Sequence, residues 1–386
     1  MAHGNRLSPP RPRLTTRLAL ATTAAALAAA GCSATAAGPG SAAAVPGYAA
    51  AGTAAAVPAR ATAPGTAGAG AVTQALARQV FSGYLATADQ AARTGDGQLT
   101  LSAVTGVQRS VLAAVLSAHP VTVTGSPPSY RNPVFYLPEA AGYPRFFAAR
   151  VTRTADGAGT RTTTVLGGAT VPASGTALML FEQAAAGARW LLASVCQLAA
   201  GASVPKLATD SSGRVPAAPA AAALLAPPGS VGALQAAVVD DGPASAASRA
   251  VAAGPLTTGM YQGAADHADG LRTPRGDDYQ WQLDGTGLPV FALRTAGGGA
   301  LTFYAMSLTE TVAVPDVISQ ADPVRSGLPI QVPASLLPLL PAGQQAPLVQ
   351  LQSRQLLSFA AIDPPGAAGK IAVIAIGGGL IAASAT

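Results

Sequence analysis

From residue 72 onward, apolar side chains fall at intervals that name secondary structure. Leu76, Val80, Tyr84 and Leu85 stand a helical turn apart and predict a helix from near Val72 to a stop near Gly95. Val104, Val107, Val111, Leu112, Val115 and Leu116 predict a second over residues 101–117. The pattern then switches to strands at residues 134–137, 145–154, 160–166, 177–183 and 189–198, with Asp156-Gly157 and Ala186-Gly187 as turns. Ser211-Ser212-Gly213 and Pro216, Pro219, Pro227 and Pro228 interrupt it, and the order then recurs. Helical segments are predicted at 231–240, 244–253 and 257–269, and strands at 290–295, 301–314, 347–362 and 370–384. Helices followed by a run of antiparallel strands read as α+β. The expected fold is two tandem helix-then-antiparallel-sheet domains, 72–209 and 231–386. A linker at 210–230 joins them, and the second carries a proline-rich insertion at 315–347.

Two blocks suggest an internal duplication. Pro133-Val134-Phe135 matches Pro289-Val290-Phe291 at an offset of 156, and Phe146-Phe147-Ala148 with Thr152-x-Thr154 matches Phe303-Tyr304-Ala305 with Thr309-x-Thr311 at 157. The apolar run 371–385 is too short for a bilayer span and is broken by Gly377-Gly378-Gly379. It reads as a hairpin of two buried strands turning at the glycines. Gly297-Gly298-Gly299 reads as a second such turn, since neither run carries the Lys-Ser/Thr of a phosphate loop.

The N-terminus follows a different logic. Arg6, Arg11, Arg13 and Arg17 precede a 13-residue apolar stretch, Leu18 to Ala30, without one acid before Cys32. This is the layout of a secretory leader. Leu27-Ala28-Ala29-Ala30-Gly31-Cys32 then reads as a lipoprotein processing site, with Cys32 as the acylated residue, although Ala29 occupies a position where leucine is usual. The competing reading is an ordinary leader cut at a nearby Ala-x-Ala. Residues 33–71 are almost wholly Ala, Gly, Thr, Ser and Pro and are expected to be a disordered tether.

Charge changes the picture once the leader is set aside. The full chain carries +6, but without residues 1–32 it has 19 basic against 17 acidic residues. That balance lacks the basic footprint of a nucleic-acid binder. Lys206 and Lys370 are the only lysines, and heavy Ala, Gly and Pro use points to a GC-rich genome. With Cys32 acylated, Cys196 has no disulfide partner, and its apolar surroundings read as a buried core thiol.

Asn132-Pro133-Val134-Phe135-Tyr136-Leu137-Pro138, followed by Tyr143-Pro144-Arg145-Phe146-Phe147-Ala148, resembles uncharacterised actinobacterial secreted lipoproteins. In order of elements each half is similar to the α+β cone of the NTF2-like superfamily. The resemblance carries no functional residue, because such cones host enzymes, binders and scaffolds alike.

Chemistry is thinly signalled. Ser203-Val204-Pro205-Lys206 has the Ser-x-x-Lys spacing, but Pro205 opposes the helix that motif opens, and its companion motifs are missing. His119 and His267 are the only histidines after the leader; Asp266-His267-x-Asp269 reads as a solvated helix face. No metal or cofactor is expected. Tyr130, Tyr136, Phe147 and Trp190 are the candidate ligand-binding residues, carrying polar handles or large faces on sheet segments; core packing is the competing reading. The sequence therefore suggests a membrane-anchored extracytoplasmic lipoprotein, a non-enzymatic interaction or scaffold protein with an envelope-protein or cell-wall partner. The alternative is a small-molecule-binding module using an NTF2-like pocket.

Overall fold

The computed structural model describes residues 71–386 apart from 119–127, 140–141, 155–161, 165–169, 212, 315–329, 331, 342–347 and 367–368. Cys32, His119 and residues 33–70 of the expected tether lie outside the described residues.

Helix α1, Gln74–Thr94, starts where the Thr73 hydroxyl accepts a hydrogen bond from Leu76 N–H at 3.1 Å, and stops at Gly95 in the left-handed region. Its Ala77, Phe81 and Ala91 are buried. The expected second helix is broken in two: α2, Gly97–Leu101, and α3, Gly106–Ser117. Between them Thr105 N–H donates to Leu192 O at 2.8 Å and Leu192 N–H donates to Ala103 O at 3.1 Å. A strand partner thus takes the backbone groups that a continuous helix needs, overriding the apolar period.

Strands β1 (Ser129–Pro138), β2 (Arg145–Thr154), β3 (Thr162–Thr164), β4 (Thr170–Pro172), β5 (Gly175–Gln183), β6 (Leu191–Leu198) and β7 (Arg214–Val215) follow. Then come helices α4 (Val231–Asp241) and α5 (Thr258–Arg275), and strands β8 (Asp278–Gly285), β9 (Phe291–Arg294), β10 (Ala300–Ala313), β11 (Gln350–Asp363) and β12 (Ala372–Ala385). The fold is α+β, with one large, mostly antiparallel sheet ordered β7-β1-β2-β5-β6-β12-β11-β10-β8, and β9 paired to β10. Among the described strands, the short β7 alone runs parallel to its neighbour, β1.

Alternation along β2 and β5 sorts the first half into two faces. Phe147, Ala149, Val151, Ala177, Met179 and Phe181 lie with α1 in one core. Phe146, Ala148, Leu178 and Leu180 point the other way and pack with Phe291, Leu293, Leu301 and Phe303 of the second half. Phe146 and Phe291 bring their ring centres to 4.6 Å. A core drawn from both sides of residues 210–230 therefore ties the halves together. A separate core packs α4 and α5 onto Tyr304, Met306, Leu308, Leu357 and Phe359. Each such large side chain contributes about 1.5–3 kcal/mol by leaving water.

The halves also meet edge to edge, where β6 pairs with β12 through Ala375↔Leu198 and Ile376↔Gln197. Here the hairpin expected at Gly377-Gly378-Gly379 does not form; β12 runs straight through as one strand. A Cβ on Gly377 would overlap the Val195 carbonyl oxygen, and one on Gly378, at φ +115°, would overlap that of Leu356. The run is glycine because two backbones crowd it from either side. The other run does make its turn: Thr295 N–H donates to Gly299 O at 2.9 Å between β9 and β10.

Residues 210–230 are held along their length. Val215 pairs with Pro138, Leu224 bridges Pro365, and Val215, Leu224 and Ala226 are buried. In the insertion, Ile330 and Leu336 pack on Leu351 and Ala385 at one end of β11 and β12. The segment 244–253 is not an α-helix but a 3₁₀ turn, Ala246–Arg249, followed by a bridge from Val251 to Ile371. Among the described residues no helix is long and apolar enough to cross a membrane.

Asp363 closes β11 with its side chain fully enclosed, at 0 % exposure. Backbone N–H groups of Leu225 and Ala226 face its carboxylate, but neither closes a well-formed hydrogen bond. Burial pushes its pKa up to about 6, against these N–H groups.

Two outcomes follow for stability. Gly377→Ala is expected to cost about 2–3 kcal/mol in urea unfolding through overpacking. Gly270→Ala, on α5 where an added Cβ meets nothing within 4 Å, should instead gain about 0.5–1 kcal/mol; equal effects would contradict the crowding at Gly377. For Asp363, a raised folded pKa means stability is greatest at low pH and is lost as pH rises through about 6. Asp363→Asn should remove a loss on the order of 2 kcal/mol between pH 4 and 8, and an unchanged stability–pH slope would count against the buried charge.

Candidate functional site

A small cleft lies where the two halves meet, with a cavity volume of about 30 Å³. Strand β5 contributes Leu180 and Glu182, and β6 contributes Ala193 and Ser194. Across from them stand Phe303 and Tyr304 of β10 and Ser358 of β11, with Leu288 and Pro289 at the approach to β9. The start of α3 completes it, and Gly106, at φ +53°, lets the helix settle so close that a Cβ there would meet Ala193 O at 3.3 Å.

The lining is mostly apolar, with its polar groups paired behind it. The Cys196 thiol donates to Ser358 Oγ at 3.3 Å, and Tyr304 donates its phenol to Gln235 Oε1 at 2.7 Å. Gln235 Nε2 donates in turn to Leu256 O at 2.8 Å. Burial pushes the Cys196 pKa up to about 11, with the Ser358 and Ser194 contacts opposing the rise. Burial likewise raises the Tyr304 phenol well above its ordinary value, helped by nearby Cys196. The thiol therefore stays protonated and weakly nucleophilic at neutral pH. Glu182, half-buried, has its pKa raised by desolvation. The arrangement suits a small apolar group that offers Glu182 a hydrogen bond.

None of the four rings anticipated as ligand-binding lines this cleft. Phe147 is wholly enclosed beneath α1, stacked on Phe181 at 4.8 Å and 5.3 Å from Trp190. Trp190 is half-buried, with the Arg145 guanidinium 5.9 Å from its ring centre. Tyr130 sits on the same face, half-buried and hydrogen-bonded with Arg153; burial raises its pKa while Arg153 lowers it. Tyr136 points to the opposite face, into the core shared by the halves. The structure thus gathers Tyr130, Phe147 and Trp190 and separates Tyr136.

The weaker signals do not converge either. Ser203 to Lys206 forms no helix. His267 is exposed, its ring edge-on to Tyr279 at 4.8 Å, while Asp266 accepts from Gln262 and Asp269 pairs with Arg272. Among the described residues no group of three or more His, Cys, Asp or Glu is placed to hold a metal. The cleft's polar groups, Glu182, Ser194 and Ser358, escaped sequence reasoning. Their one signal is a polar residue inside an apolar strand run, as in Leu191–Leu198.

A family model, Domain of unknown function (DUF8094), matches residues 68–385. No curated protein and no solved structure matches the chain.

The thiol offers a direct check. In a Cys32→Ala background, Cys196 of the native protein is expected to react with a disulfide reagent at pH 8 on the order of a hundredfold more slowly than after unfolding. Equal rates would mean that Cys196 is neither buried nor committed to Ser358.

Proposed function

Since the chain belongs to the DUF8094 family, whose description assigns no role, we propose one from its own residues. It is a membrane-anchored extracytoplasmic lipoprotein, held by lipid on Cys32, and a non-enzymatic interaction protein of the cell envelope. The leader with four arginines and no acid before Gly31-Cys32 supports the anchor. Two acyl chains give stable attachment where one gives marginal binding. The Ala/Gly/Pro stretch 33–71 then holds the folded body away from the membrane surface. One observation carries the interaction reading: the seam cleft is built from both halves and is mostly apolar, with Glu182, Ser194 and Ser358 as its polar side chains beside the Tyr304 phenol. A small apolar cleft of this kind suits an apolar side chain or group of an envelope partner.

We also infer that the halves repeat one unit similar to the NTF2-like cone. Outward from the β6–β12 join, each half reads as a meander, β6-β5-β2-β1 on one side and β12-β11-β10 with β9 and β8 on the other. Phe147 and Phe181 are register partners with stacked rings, and so are Tyr304 and Phe359, whose ring centres lie 5.6 Å apart. Phe147 and Tyr304 are related by the offset of 157 seen in the sequence.

Anchoring is tested by Cys32→Ala in the native host with an alkyne-tagged fatty acid in the medium. The wild type should carry the tag and stay with salt-washed membranes, while the variant should lose both. Retention of the tag by the variant would refute lipidation at Cys32.

A further inference from the structure

The polar side chains that line the seam cleft have partners behind its wall, with one exception. Tyr304 donates to Gln235, Ser358 accepts from the Cys196 thiol at 3.3 Å, and Ser194 contacts the same thiol. Glu182 on β5 has neither donor nor cation: among the described residues no hydrogen bond or ion pair reaches its carboxylate. Its pKa is raised by desolvation alone, with no positive charge drawing it back. Glu310 on β10 shows the opposite case. It accepts from Tyr279 Oη at 2.7 Å, Gln355 Nε2 at 2.9 Å and Ser353 Oγ at 3.2 Å.

Register explains why Glu182 faces the cleft. Leu180 and Glu182 lie on one face of β5, opposite Ala148 and Phe146 of β2. Phe146 in turn packs on Phe291, whose ring belongs to the same cleft. The carboxylate therefore stands half-buried in a wall made otherwise of Leu180, Val107, Leu288, Phe291 and Phe303. No lysine or arginine lines that wall.

We propose that the seam cleft takes the end of a lysine side chain of an envelope partner, with the ammonium donating to Glu182. This rests on the reading of the cleft as an interaction site and names what enters it. Charge selects the head group: a partly desolvated carboxylate is stabilised by a cation that also donates hydrogen bonds. The walls select the stem, since lysine lays its methylenes along apolar surface. Phe291 and Phe303 add aromatic rings, whose faces attract a cation. Size agrees: a cavity of about 30 Å³ has room for about two water-sized groups, the terminal methylene and the ammonium. The broader, planar guanidinium of arginine does not fit that space.

The test titrates the folded Cys32→Ala chain, ¹³C-labelled at its methyl groups, with Nα-acetyllysine methylamide and with Nα-acetylnorleucine methylamide, whose apolar stem lacks the charge. Saturable shifts of the Val107, Leu180 and Leu288 methyls are expected with the lysine probe. The norleucine probe should bind at least about tenfold more weakly, and Glu182→Gln should abolish that preference. Equal or tighter binding of norleucine would overturn the lysine assignment while leaving an apolar interaction site. No saturable shift with either probe would overturn both. Tighter binding of alaninamide, which offers an α-ammonium, would give the cleft to a chain terminus and overturn the lysine assignment. The comparison of lysine with norleucine is made in one protein, so it stands even if Glu182→Gln folds poorly.

Discussion

Two neighbouring strands can be pressed together as closely as β6 and β12 only where one has no side chain in the way. Gly377 meets that condition against β6, where the Val195 carbonyl occupies the space a Cβ would take, and Gly378 meets it against β11 at the Leu356 carbonyl. The rest of the arrangement depends on that approach. It joins the strands of both halves into one sheet and turns Phe146 and Leu180 toward Phe291 and Phe303, so that one core is shared. The seam cleft lies along the same boundary, lined by β5 and β6 on one side and β10 and β11 on the other.

Elements governed by local rules were legible in the sequence. The apolar period placed α1, and the Gly95 stop is where that helix ends. The expected bounds of the 145–154 strand are those of β2. What failed was decided by distant partners. The helix expected across 101–117 gives way at residues 102–105 because β6 claims their backbone groups. Strand β8 went unseen because only Tyr279 and Leu283 of its side chains are buried, and Gln280, Gln282 and Asp284 between them look like loop. The second glycine run was misread because a glycine needed for a turn and one needed for close approach look alike until the neighbouring strand is known.

The chemistry was less legible than the fold for the same reason. Tyr130 was visible as a ring with a polar handle, but its partner, Arg153 opposite it on β2, is set by the register. Arg153 carries no motif, and its hydrogen bond with Tyr130 exists only once β1 and β2 are paired. The leader was the opposite case, read from composition and spacing alone.

The central claim is that the halves form one cooperative body rather than two domains on a string. The chain has two tryptophans, Trp190 in the first half and Trp281 in the second, so each half has its own fluorophore. Urea unfolding of Trp190→Phe and Trp281→Phe, followed by both fluorescence and far-ultraviolet circular dichroism, tests the claim directly. A shared core and sheet predict that the two probes coincide within each variant, as one transition requires. A fluorescence transition displaced from the dichroism transition in either variant would show the halves unfolding separately and would contradict the account.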